Sequence, residues 1–414
     1  MPAFQPVRGT HDLLPDEYRR HRHVAETARR VAERYGFAEM ATPIFEFTEV
    51  FARSMGETSD VVAKEMYSFL DKGGEPLTLR PEYTAGICRA FISNGLMQSV
   101  PFKVFAQGPM FRFERPQKGR QRQFHQIDVE IIGAPEPEAD VDVIALAADI
   151  LAALGILDRC SLELNSLGDT ESRADYRTAL VAYLDKHRGN LSEDSLRRLD
   201  RNPLRILDSK DRGDREIIAG APLLPDHLNA ASRDFFAAVR SGLDAVGVPY
   251  NVNPRLVRGL DYYSHTAFEY VTTALGAQGT VLAGGRYDGL IEHLGGPATP
   301  GIGWAGGIER LSMLANDPVS PPRPVALVPV GEAAESAALK LAKTLRDAGF
   351  VVDLAYKGNV GRRMKRADKL NATCAILIGD NEMARQAVTV KDLTSGEQSE
   401  VPLAELTARL ARYR

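Results

Sequence analysis

The sequence predicts an α+β protein with an antiparallel sheet and a helical insertion, followed by a small α/β domain. Three patterns predict this fold class. Apolar and polar residues alternate on both sides of a basic loop between positions 111 and 133, as they do in a β hairpin. A charge-rich stretch from about 169 to 240 has helical periodicity. Beyond a Pro-rich segment at 317–324, strand patterns alternate with helix patterns, which is typical of α/β domains.

The length of the chain also predicts two domains. It has 414 residues, and single hydrophobic cores rarely grow beyond roughly 250–300 residues. We place the domains at residues 1–320 and 323–414, because the Pro-rich segment is the clearest linker in the chain. The stretch at about 169–240 is interpreted as a helical insertion between parts of one β-rich core. The alternative is that it simply continues the main domain.

Composition argues against several classes of protein. The formal net charge of −4 gives no global attraction to nucleic acid, so DNA is not an expected partner and RNA contacts need local basic patches. The three cysteines, Cys88, Cys160 and Cys374, lack CxxC spacing, which favours a reducing, cytoplasmic location. No apolar run approaches the roughly 20 residues of a membrane span. The eight histidines show no HxxxH or HExxH pairing, so no metal site is predicted.

Residues that favour helix ends and turns mark the limits of the first elements. Asp16 is the expected N-cap of the first helix, and Gly36 ends that helix. Pro43 makes the following extended stretch suitable for an edge or interface strand. The predicted elements are, in order, a helix over 17–35, a strand over 40–47, hairpin strands over 67–70 and 77–79, and a helix over 85–94.

The later elements change in character at the Pro-rich segment. Before it come a helix over 141–154 and, around the insertion, strands over 161–165, 250–253, 266–272 and 280–283. After it come strands over 325–330, 351–355, 374–378 and 386–391, with helices over 333–348, 360–370 and 403–413. Because strand and helix alternate, a largely parallel sheet is predicted for the second domain.

The hairpin at 111–133 has an unusually polar face. Since successive strand residues point to opposite sides of a sheet, Arg112 and Glu114 are placed opposite Phe111 and Phe113. In the second strand Phe124, Gln126, Asp128 and Glu130 share one face, and Ile127, Val129 and Ile131 share the other. An unpaired buried charge is costly, so the polar groups must face each other, water or a polar ligand. A solvent-exposed amphipathic hairpin is the alternative.

Glycine and arginine occur together in three further loops. The stretch 301–306 fits GxGxxG, but the following parallel strand and acidic residue of a dinucleotide fold are missing. Its glycines instead predict a close approach of the backbone to a ligand or a neighbouring strand, with Arg310 near enough to hold a phosphate. Arg258 precedes Gly259 in a tight loop, which suits a bidentate contact of its guanidinium with a carboxylate or phosphate. The same contact is predicted for Arg286. A structural ion pair is the alternative for each arginine.

Several of these stretches match one family together. They are Arg8-Gly9-Thr10 to Asp12, Arg80-Pro81-Glu82, the 111–133 hairpin, Arg258 to Tyr263, Gly284 to Asp288 and Gly303 to Arg310. The set resembles the histidyl-tRNA synthetases of bacterial type, a family of class II aminoacyl-tRNA synthetases. The resemblance covers nearly the whole chain. It implies the class II antiparallel catalytic fold for the first domain and an anticodon-binding fold for the second. Tyr83 departs from the family pattern, which has glycine there.

The resemblance implies a two-step reaction. The carboxylate of L-histidine would attack the α-phosphate of ATP, and the resulting histidyl-adenylate would pass its acyl group to the 3′ end of tRNA(His). ATP is the implied substrate, with Mg²⁺ bridging its phosphates. Arg112 and Arg258 are the implied catalytic residues at the α-phosphate, where charge neutralisation matters most.

The resemblance also implies sets of binding residues. For ATP they are Arg112, Glu114, Phe124 and Arg310. For histidine they are Glu82, Tyr83, Thr84, Arg112, Gln126, Glu130, Arg258, Tyr262 and Tyr263. Within the second set, Glu82, Thr84 and Gln126 would hold the α-ammonium group, and Glu130 with Tyr263 would hold the imidazole.

Two basic groups are candidates for tRNA contact. The hairpin loop offers Arg115, Lys118, Arg120 and Arg122, and a helix of the second domain offers Arg362, Arg363, Lys365, Arg366 and Lys369. A basic helix is more often only a solvated face, but a local surplus in a chain of net negative charge favours RNA. The expected partners are therefore tRNA(His), histidine, ATP and, from the resemblance, a second copy of the chain in a homodimer.

Two rival functions remain at this point. A non-catalytic regulatory subunit of ATP phosphoribosyltransferase resembles the catalytic domain but lacks the anticodon domain, and it need not keep Arg112, Gln126, Glu130 and Arg258. This chain keeps all four and has residues 323–414. A synthetase-like domain of a stress-sensing kinase would require a kinase region, and no such pattern is present.

Overall fold

The computed structural model describes residues 3–56, 61–117, 119–260, 262–276, 279–318 and 320–413, without the side chain of Asp208. The chain divides into two compact units, Met1–Pro318 and Val319–Arg414. None of the helices in these described ranges combines the length and the apolar character that a bilayer crossing requires.

The first unit contains eleven strands and ten α-helices among its described residues. The strands are β1 (Ala38–Glu39), β2 (Phe45–Phe47), β3 (Tyr67–Leu70), β4 (Pro76–Leu79), β5 (Phe102–Phe111), β6 (Gln123–Ile132), β7 (Ser161–Ser166), β8 (Asn251–Val252), β9 (Ser264–Val271), β10 (Thr280–Arg286) and β11 (Gly301–Gly307). The helices are α1 (Pro15–Arg34), α2 (Thr48–Met55), α3 (Thr84–Ser93), α4 (Pro137–Ala153), α5 (Thr170–Asp185), α6 (Glu193–Leu199), α7 (Arg212–Ile218), α8 (Ala230–Ala245), α9 (Leu290–His293) and α10 (Ile308–Leu314).

An eight-stranded sheet forms the centre of this unit. Its strand order is β1-β5-β6-β11-β10-β9-β7-β8, and the six central strands pair antiparallel. Only the two edge pairs, β1 with β5 and β7 with β8, are parallel among the described strands. The predicted antiparallel α+β fold is thus confirmed. A separate three-stranded sheet has the order β2-β4-β3, so the strand predicted around Pro43 is an edge strand, reduced to Phe45–Phe47.

Strand β6 buries both of its faces. Ile127, Val129 and Ile131 belong to a core shared with residues of α1, α4, α8 and α10. On the other face, Asp128 and Glu130 are each only 1% exposed. The predicted segregation of apolar and polar residues is correct, but the alternative of a solvent-exposed hairpin is excluded. The polar face instead borders an enclosed space beside α3.

The first arm of the central hairpin lies earlier than predicted. It is β5, which ends at Phe111, so Arg112 and Glu114 are in the loop and do not share a strand face. The chain leaves the sheet there because the Phe113 N–H donates to the Glu65 carbonyl, 2.7 Å away. The first helix also differs. It begins at Pro15 with Leu14 at the N-cap position, so Asp16 is not the cap and lies in the first turn, where its charge favours the helix dipole.

The stretch predicted as a helical insertion, about 169–240, contains α5, α6, α7 and the greater part of α8. Helices α5, α6 and α7 bury their apolar residues in a cluster with Tyr262 and Tyr263, on the polar side of the sheet. Helix α8 differs, because Phe236, Val239 and Leu243 pack in the core on the opposite face, together with α4. Residues 230–245 therefore pack with α4 on the opposite face of the sheet from α5, α6 and α7.

The second unit is a five-stranded sheet with four α-helices among its described residues. The elements are β12 (Val325–Val330), α11 (Ala333–Asp347), β13 (Val352–Leu354), α12 (Val360–Lys369), β14 (Cys374–Gly379), α13 (Asp380–Ala384), β15 (Ala387–Asp392), β16 (Gln398–Pro402) and α14 (Leu406–Leu410). Strands β13, β12 and β14 are parallel, but β14, β15 and β16 are antiparallel. The prediction of a largely parallel sheet is therefore wrong for the last two strands.

Candidate active site

A cavity of about 490 Å³ opens on the polar face of the large sheet. Strands β6, β9, β10 and β11 form its floor, the beginning of α3 forms one wall, and the segment around residues 258–263 forms another. The cavity has the volume expected for a small-molecule site. Its wall and floor are unusually rich in charge, since both arginines and glutamates line it.

Glu82 fixes one corner of the cavity by capping a helix. Its carboxylate accepts hydrogen bonds from the backbone N–H groups of Thr84 and Ala85, each at 2.8 Å. These are donors at the beginning of α3 that have no partner within the helix. Burial raises the pKa of Glu82, although these hydrogen bonds act in the opposite direction. The carboxylate is thereby held rigidly while it faces the cavity.

Glu130 lies at the bottom of the cavity between two hydroxyl groups. The Thr84 hydroxyl donates to one carboxylate oxygen at 2.6 Å, and the Tyr287 hydroxyl donates to the other at 2.5 Å. Burial raises the pKa of Glu130 to about 8, against the effect of the two hydroxyl donors. Gly303 provides the room for this arrangement, because a Cβ atom there would lie 1.7 Å from the Glu130 carboxylate.

Three arginines present positive charge to the same space. Arg258 pairs with Glu269, and its Nε has no partner among the described residues. The Nε of Arg112 donates to the Pro81 carbonyl at 2.9 Å, and its guanidinium carbon lies 5.3 Å from the centre of the Phe124 ring. Arg310 donates to the carbonyls of Gly119 and Thr280 at 3.1 and 2.7 Å. Each guanidinium is anchored through some of its N–H groups, which leaves a fixed orientation toward the cavity.

Two polar side chains of β6 are buried without partners. The amide oxygen of Gln126 and both carboxylate oxygens of Asp128 accept no hydrogen bond from any described residue. Gln126 lines the cavity, so a ligand can satisfy it. Asp128 lies deeper, and burial raises its pKa well above the ordinary value, helped by Glu130 and Glu82. Three acidic groups thus share a buried region in which ionisation is costly.

Family models match both units of the chain. A model described as "Histidyl-tRNA synthetase" matches residues 9–311, and one described as "Anticodon binding domain" matches residues 324–413. A histidine–tRNA ligase of Rhodospirillum rubrum is 65% identical over 414 residues, which is 100% of both chains.

The chain belongs to the histidyl-tRNA synthetase family.

Other relatives agree with this assignment. A histidine–tRNA ligase of Gluconacetobacter diazotrophicus is 60% identical and covers 99% of each chain. A crystal structure of apo S. aureus histidyl-tRNA synthetase matches with a TM-score of 0.83 and 35% identity, covering 98% of this chain and 99% of that one. The regulatory-subunit alternative is therefore not favoured.

Most of the residues predicted for the synthetase site meet in the one cavity. Those that line it are Glu82, Thr84, Arg112, Glu114, Arg120, Phe124, Gln126, Glu130, Arg258, Tyr262, Tyr263 and Arg310. Tyr83 does not join them. Its hydroxyl donates to the Gln107 carbonyl at 2.8 Å, and the Arg80 guanidinium lies 4.0 Å from its ring centre. The ring thus packs behind the site, so the expected contact of Tyr83 with histidine is corrected.

The predicted tRNA contacts differ in accessibility. Arg115 is exposed. Arg122 is only partly exposed, because its guanidinium carbon lies 3.9 Å from the centre of the Phe113 ring. Lys118 lies outside the described residues. On α12, Arg362, Lys365 and Lys369 are exposed. Arg366 is ion-paired with Asp353.

The burial of Arg363 corrects the prediction that it contacts tRNA. It is 5% exposed, and its guanidinium donates to the Pro329 carbonyl and to Glu335. The side chain therefore attaches α12 to its own unit and is unavailable to RNA. The periodicity of the helix explains the error. Arg363 lies on the inward face of α12, and Ala367, about one turn later, lies on the same face.

Sequence reasoning missed two members of the site. Tyr287 lies in the stretch Gly284 to Asp288, but a ligand contact was predicted only for the neighbouring Arg286. Arg286 is instead fully buried in an ion pair with Asp140. Glu269, the partner of Arg258, was missed because it lies on a strand with no flanking motif. The available signal for Glu269 was a charged residue between apolar neighbours in a predicted strand.

Proposed function

We propose that this cavity activates L-histidine with ATP and that the chain then transfers the histidyl group to tRNA(His). The observation that supports it most is the buried array of Glu82, Thr84, Glu130 and Tyr287 next to the arginines Arg112 and Arg258. A carboxylate flanked by hydroxyl groups suits an imidazole N–H, and the second carboxylate suits an α-ammonium group. The arginines suit a phosphate between them.

In the first step, an oxygen of the histidine carboxylate forms a bond to the α-phosphorus of ATP, and the bond to the pyrophosphate oxygen breaks. Arg112 and Arg258 would stabilise the negative charge on the α-phosphate. Arg258 has an unpartnered Nε facing a buried space, so part of its donor capacity is available for this role. Because both guanidinium groups are already positioned, little reorganisation is needed as charge develops.

Histidine would be held through both its ends. Glu82, with Thr84 and the free amide oxygen of Gln126, would bind the α-ammonium group. Glu130 and Tyr263 would bind the imidazole, with Tyr262 packed 4.5 Å from Tyr263 between ring centres. Buried polar groups that lose their partners with a wrong substrate reject it strongly. Selectivity for histidine would therefore reside at Glu130.

ATP would lie toward the hairpin loop. Phe124 would stack on adenine, Glu114 would accept from the exocyclic amine, and Arg310 would hold the terminal phosphates. Glu114 is ion-paired with Arg120 at 2.5 Å, so it is already oriented. Mg²⁺ would arrive with ATP as part of the substrate. Since Mg²⁺ keeps oxygen ligands and waters, the phosphate oxygens would hold it.

In the second step, a ribose hydroxyl of the tRNA 3′ end attacks the histidyl carbonyl carbon and AMP leaves. Arg115, Lys118, Arg120 and Arg122 are proposed at the acceptor end. Arg362, Lys365, Arg366 and Lys369 are proposed at the anticodon arm, without Arg363. The deciding experiment is histidine-dependent exchange of labelled pyrophosphate into ATP. A well-folded chain without exchange would overturn the proposed chemistry.

Deletion of residues 323–414 is expected to spare adenylation and to weaken aminoacylation. The first unit has its own apolar cores, and those of the second unit are separate clusters, so the remaining chain should fold. We expect pyrophosphate exchange within about threefold of the full chain and a rise of tenfold or more in KM for tRNA, since several phosphate contacts are lost. Equal loss of both activities would mean that residues 323–414 support the catalytic fold.

A homodimer is proposed through the three-stranded sheet. The cross-strand pairs put Phe45 and Phe47 on the same face as Tyr67 and Phe69. Phe45, Phe47 and Phe69 are 52%, 56% and 46% exposed, which is unusual for a contiguous set of aromatic side chains. A second copy of the chain would cover them. A cytoplasmic location is also proposed, supported by three free cysteines.

The variant Phe47→Asp should therefore shift the protein toward monomers. A charge in an apolar contact must be desolvated, so we expect the dimer Kd to rise by about 100-fold or more. Light scattering over a concentration series measures this, with Val351→Asp, an exposed site in the second unit, as the control. Dimers of unchanged affinity in Phe47→Asp would locate the interface elsewhere.

A further inference from the structure

Two histidines and a glutamate meet beside β6, where Glu309 also reaches the edge of the cavity. His21 lies on α1, His125 on β6 and Glu309 on α10, and one ligand atom from each lies within 4.8 Å of the others. Among the described residues this is the one group of three or more metal-ligating side chains so arranged. The three residues are far apart in the sequence, so the spacing of histidines along the chain gave no sign of them.

Part of the group is already held in place. The His125 backbone N–H donates to the Glu309 carboxylate at 3.0 Å, and the His125 Nδ1 lies 2.9 Å from one of its oxygens. The two imidazole rings meet edge to face, with centres 5.6 Å apart. Glu309 is therefore fixed by the strand, as a supporting hydrogen bond fixes a metal ligand.

His21 completes the group from α1. It is 7% exposed, and its ring meets the ring of His125 edge to face. A buried imidazole beside a second imidazole and a carboxylate supplies ligand types that zinc takes in proteins.

We propose that His21, His125 and Glu309 form a binding site for a divalent zinc ion, with water as the fourth ligand. Two imidazole nitrogens and one carboxylate oxygen are a donor set that zinc accepts, whereas Mg²⁺ and Ca²⁺ prefer oxygen ligands alone.

The present separations need only modest change. Tetrahedral zinc with bonds of about 2.1 Å places its ligand atoms roughly 3.4 Å apart. The ligand atoms here lie within 4.8 Å of one another. Side-chain rotations that move these atoms by about an ångström therefore bring them to the distances of a zinc site. A neutral His125 can offer either ring nitrogen to the metal, because its tautomer can change.

Zinc binding would connect α1 to two elements that border the active site. Gln126 follows His125 on β6, and Arg310 follows Glu309 on α10. A bound ion would therefore hold α1, β6 and α10 together at the edge of the cavity, which Glu309 lines. The proposed contacts of ATP and histidine do not include His21, His125 or Glu309.

The test measures metal binding directly. Full-length protein is dialysed against a chelator, and zinc affinity is measured by competition with a chromogenic chelator, without ATP. We expect one ion per chain and a melting temperature raised by roughly 3 °C or more in excess zinc. Cobalt, used in place of zinc, should give the visible absorption of a tetrahedral site.

Variants separate this site from incidental binding by other histidines. His21→Ala and Glu309→Gln should each weaken zinc binding by 30-fold or more, and His23→Ala, on the same helix but outside the group, should not. The melting temperature without metal checks folding, and the cobalt spectrum provides a second measurement if one variant is unstable. Zinc affinity that is absent in the wild type, or equal in wild type and His21→Ala, would overturn the proposal.

Discussion

Replacing Arg258 by alanine is expected to slow histidyl-adenylate formation by about 10³-fold, because a preorganised donor to developing charge is worth two to three orders of magnitude. The physical reason is the location of the charge. Arg258 is nearly buried beside Glu269, so in the empty site its positive charge is balanced, and in the proposed reaction it would also face the α-phosphate on attack. Its effect is therefore larger in the transition state than on binding.

The expected pattern is specific to a catalytic role. Pyrophosphate exchange should fall about 10³-fold, while the Kd for histidine, measured by calorimetry, should change by about threefold or less. Arg258→Lys keeps the charge but loses the two-pronged geometry and should give an intermediate rate. The exposed Arg240, which lies on α8, provides the control as Arg240→Ala.

The fold should tolerate the change. Glu269 also accepts a hydrogen bond from the Thr280 hydroxyl at 3.0 Å, so it keeps a partner when the arginine is absent. A rate near that of wild type would mean that Arg258 is a structural ion pair and that Arg112 alone neutralises the phosphate.

Histidine binding is expected to strengthen as pH rises toward about 8, because of Glu130. Burial raises the pKa of this group to about 8 in the empty site, so below that pH the carboxyl is protonated. An imidazole N–H favours the ionised form. Binding must therefore release the proton, and this cost falls by about 1.4 kcal/mol for each pH unit toward 8. Above pH 8 the group is already ionised and its contribution levels off.

The measurement is the Kd for histidine between pH 6.8 and 8.5. This range lies above the titration of free histidine's own imidazole, near 6.5. Wild-type affinity should rise by up to about tenfold per unit and then flatten near pH 8. Glu130→Gln should bind at least 100-fold more weakly and without this slope, since it has no proton to release.

Tyr287→Phe gives a sharper control. It removes one hydroxyl donor that favours the ionised carboxylate, so the pH at which affinity levels off should move upward while some binding survives. A flat profile in the wild type would show that Glu130 is ionised before histidine arrives, and the proposed contact would then need a different proton arrangement.

Local patterns predicted the elements well wherever local and tertiary preferences agree. Strand β12 was predicted at its observed limits, 325–330, because all but one of its residues are buried and a Pro-rich linker precedes it. Strand β16 was missed because only Val401 is buried in it, which leaves no apolar alternation to detect. The first arm of the central hairpin was displaced because the pattern Phe111-Arg112-Phe113-Glu114 imitates a strand.

The candidate site was predicted mainly through motifs, and its omissions follow from the same source. Residues inside motifs, such as Glu82 and Arg258, meet in the cavity as expected. Tyr83 is also inside a motif, but the stacking of Arg80 directs its ring behind the site. The group of His21, His125 and Glu309 depends on the folding of three distant segments onto one another, for which neither periodicity nor spacing carries a signal.

The glycine at position 303 has a consequence for redesigning the amino-acid preference of this site. The floor beneath the proposed imidazole position is main chain, because Gly303 already has the smallest side chain and sits against the Val129 carbonyl and Glu130. Nothing can be trimmed there to admit a bulkier amino acid. Room for a larger substrate must come from the Tyr262 and Tyr263 wall, so libraries that vary those two positions should yield enlarged specificity, whereas libraries at 303 can only shrink the pocket.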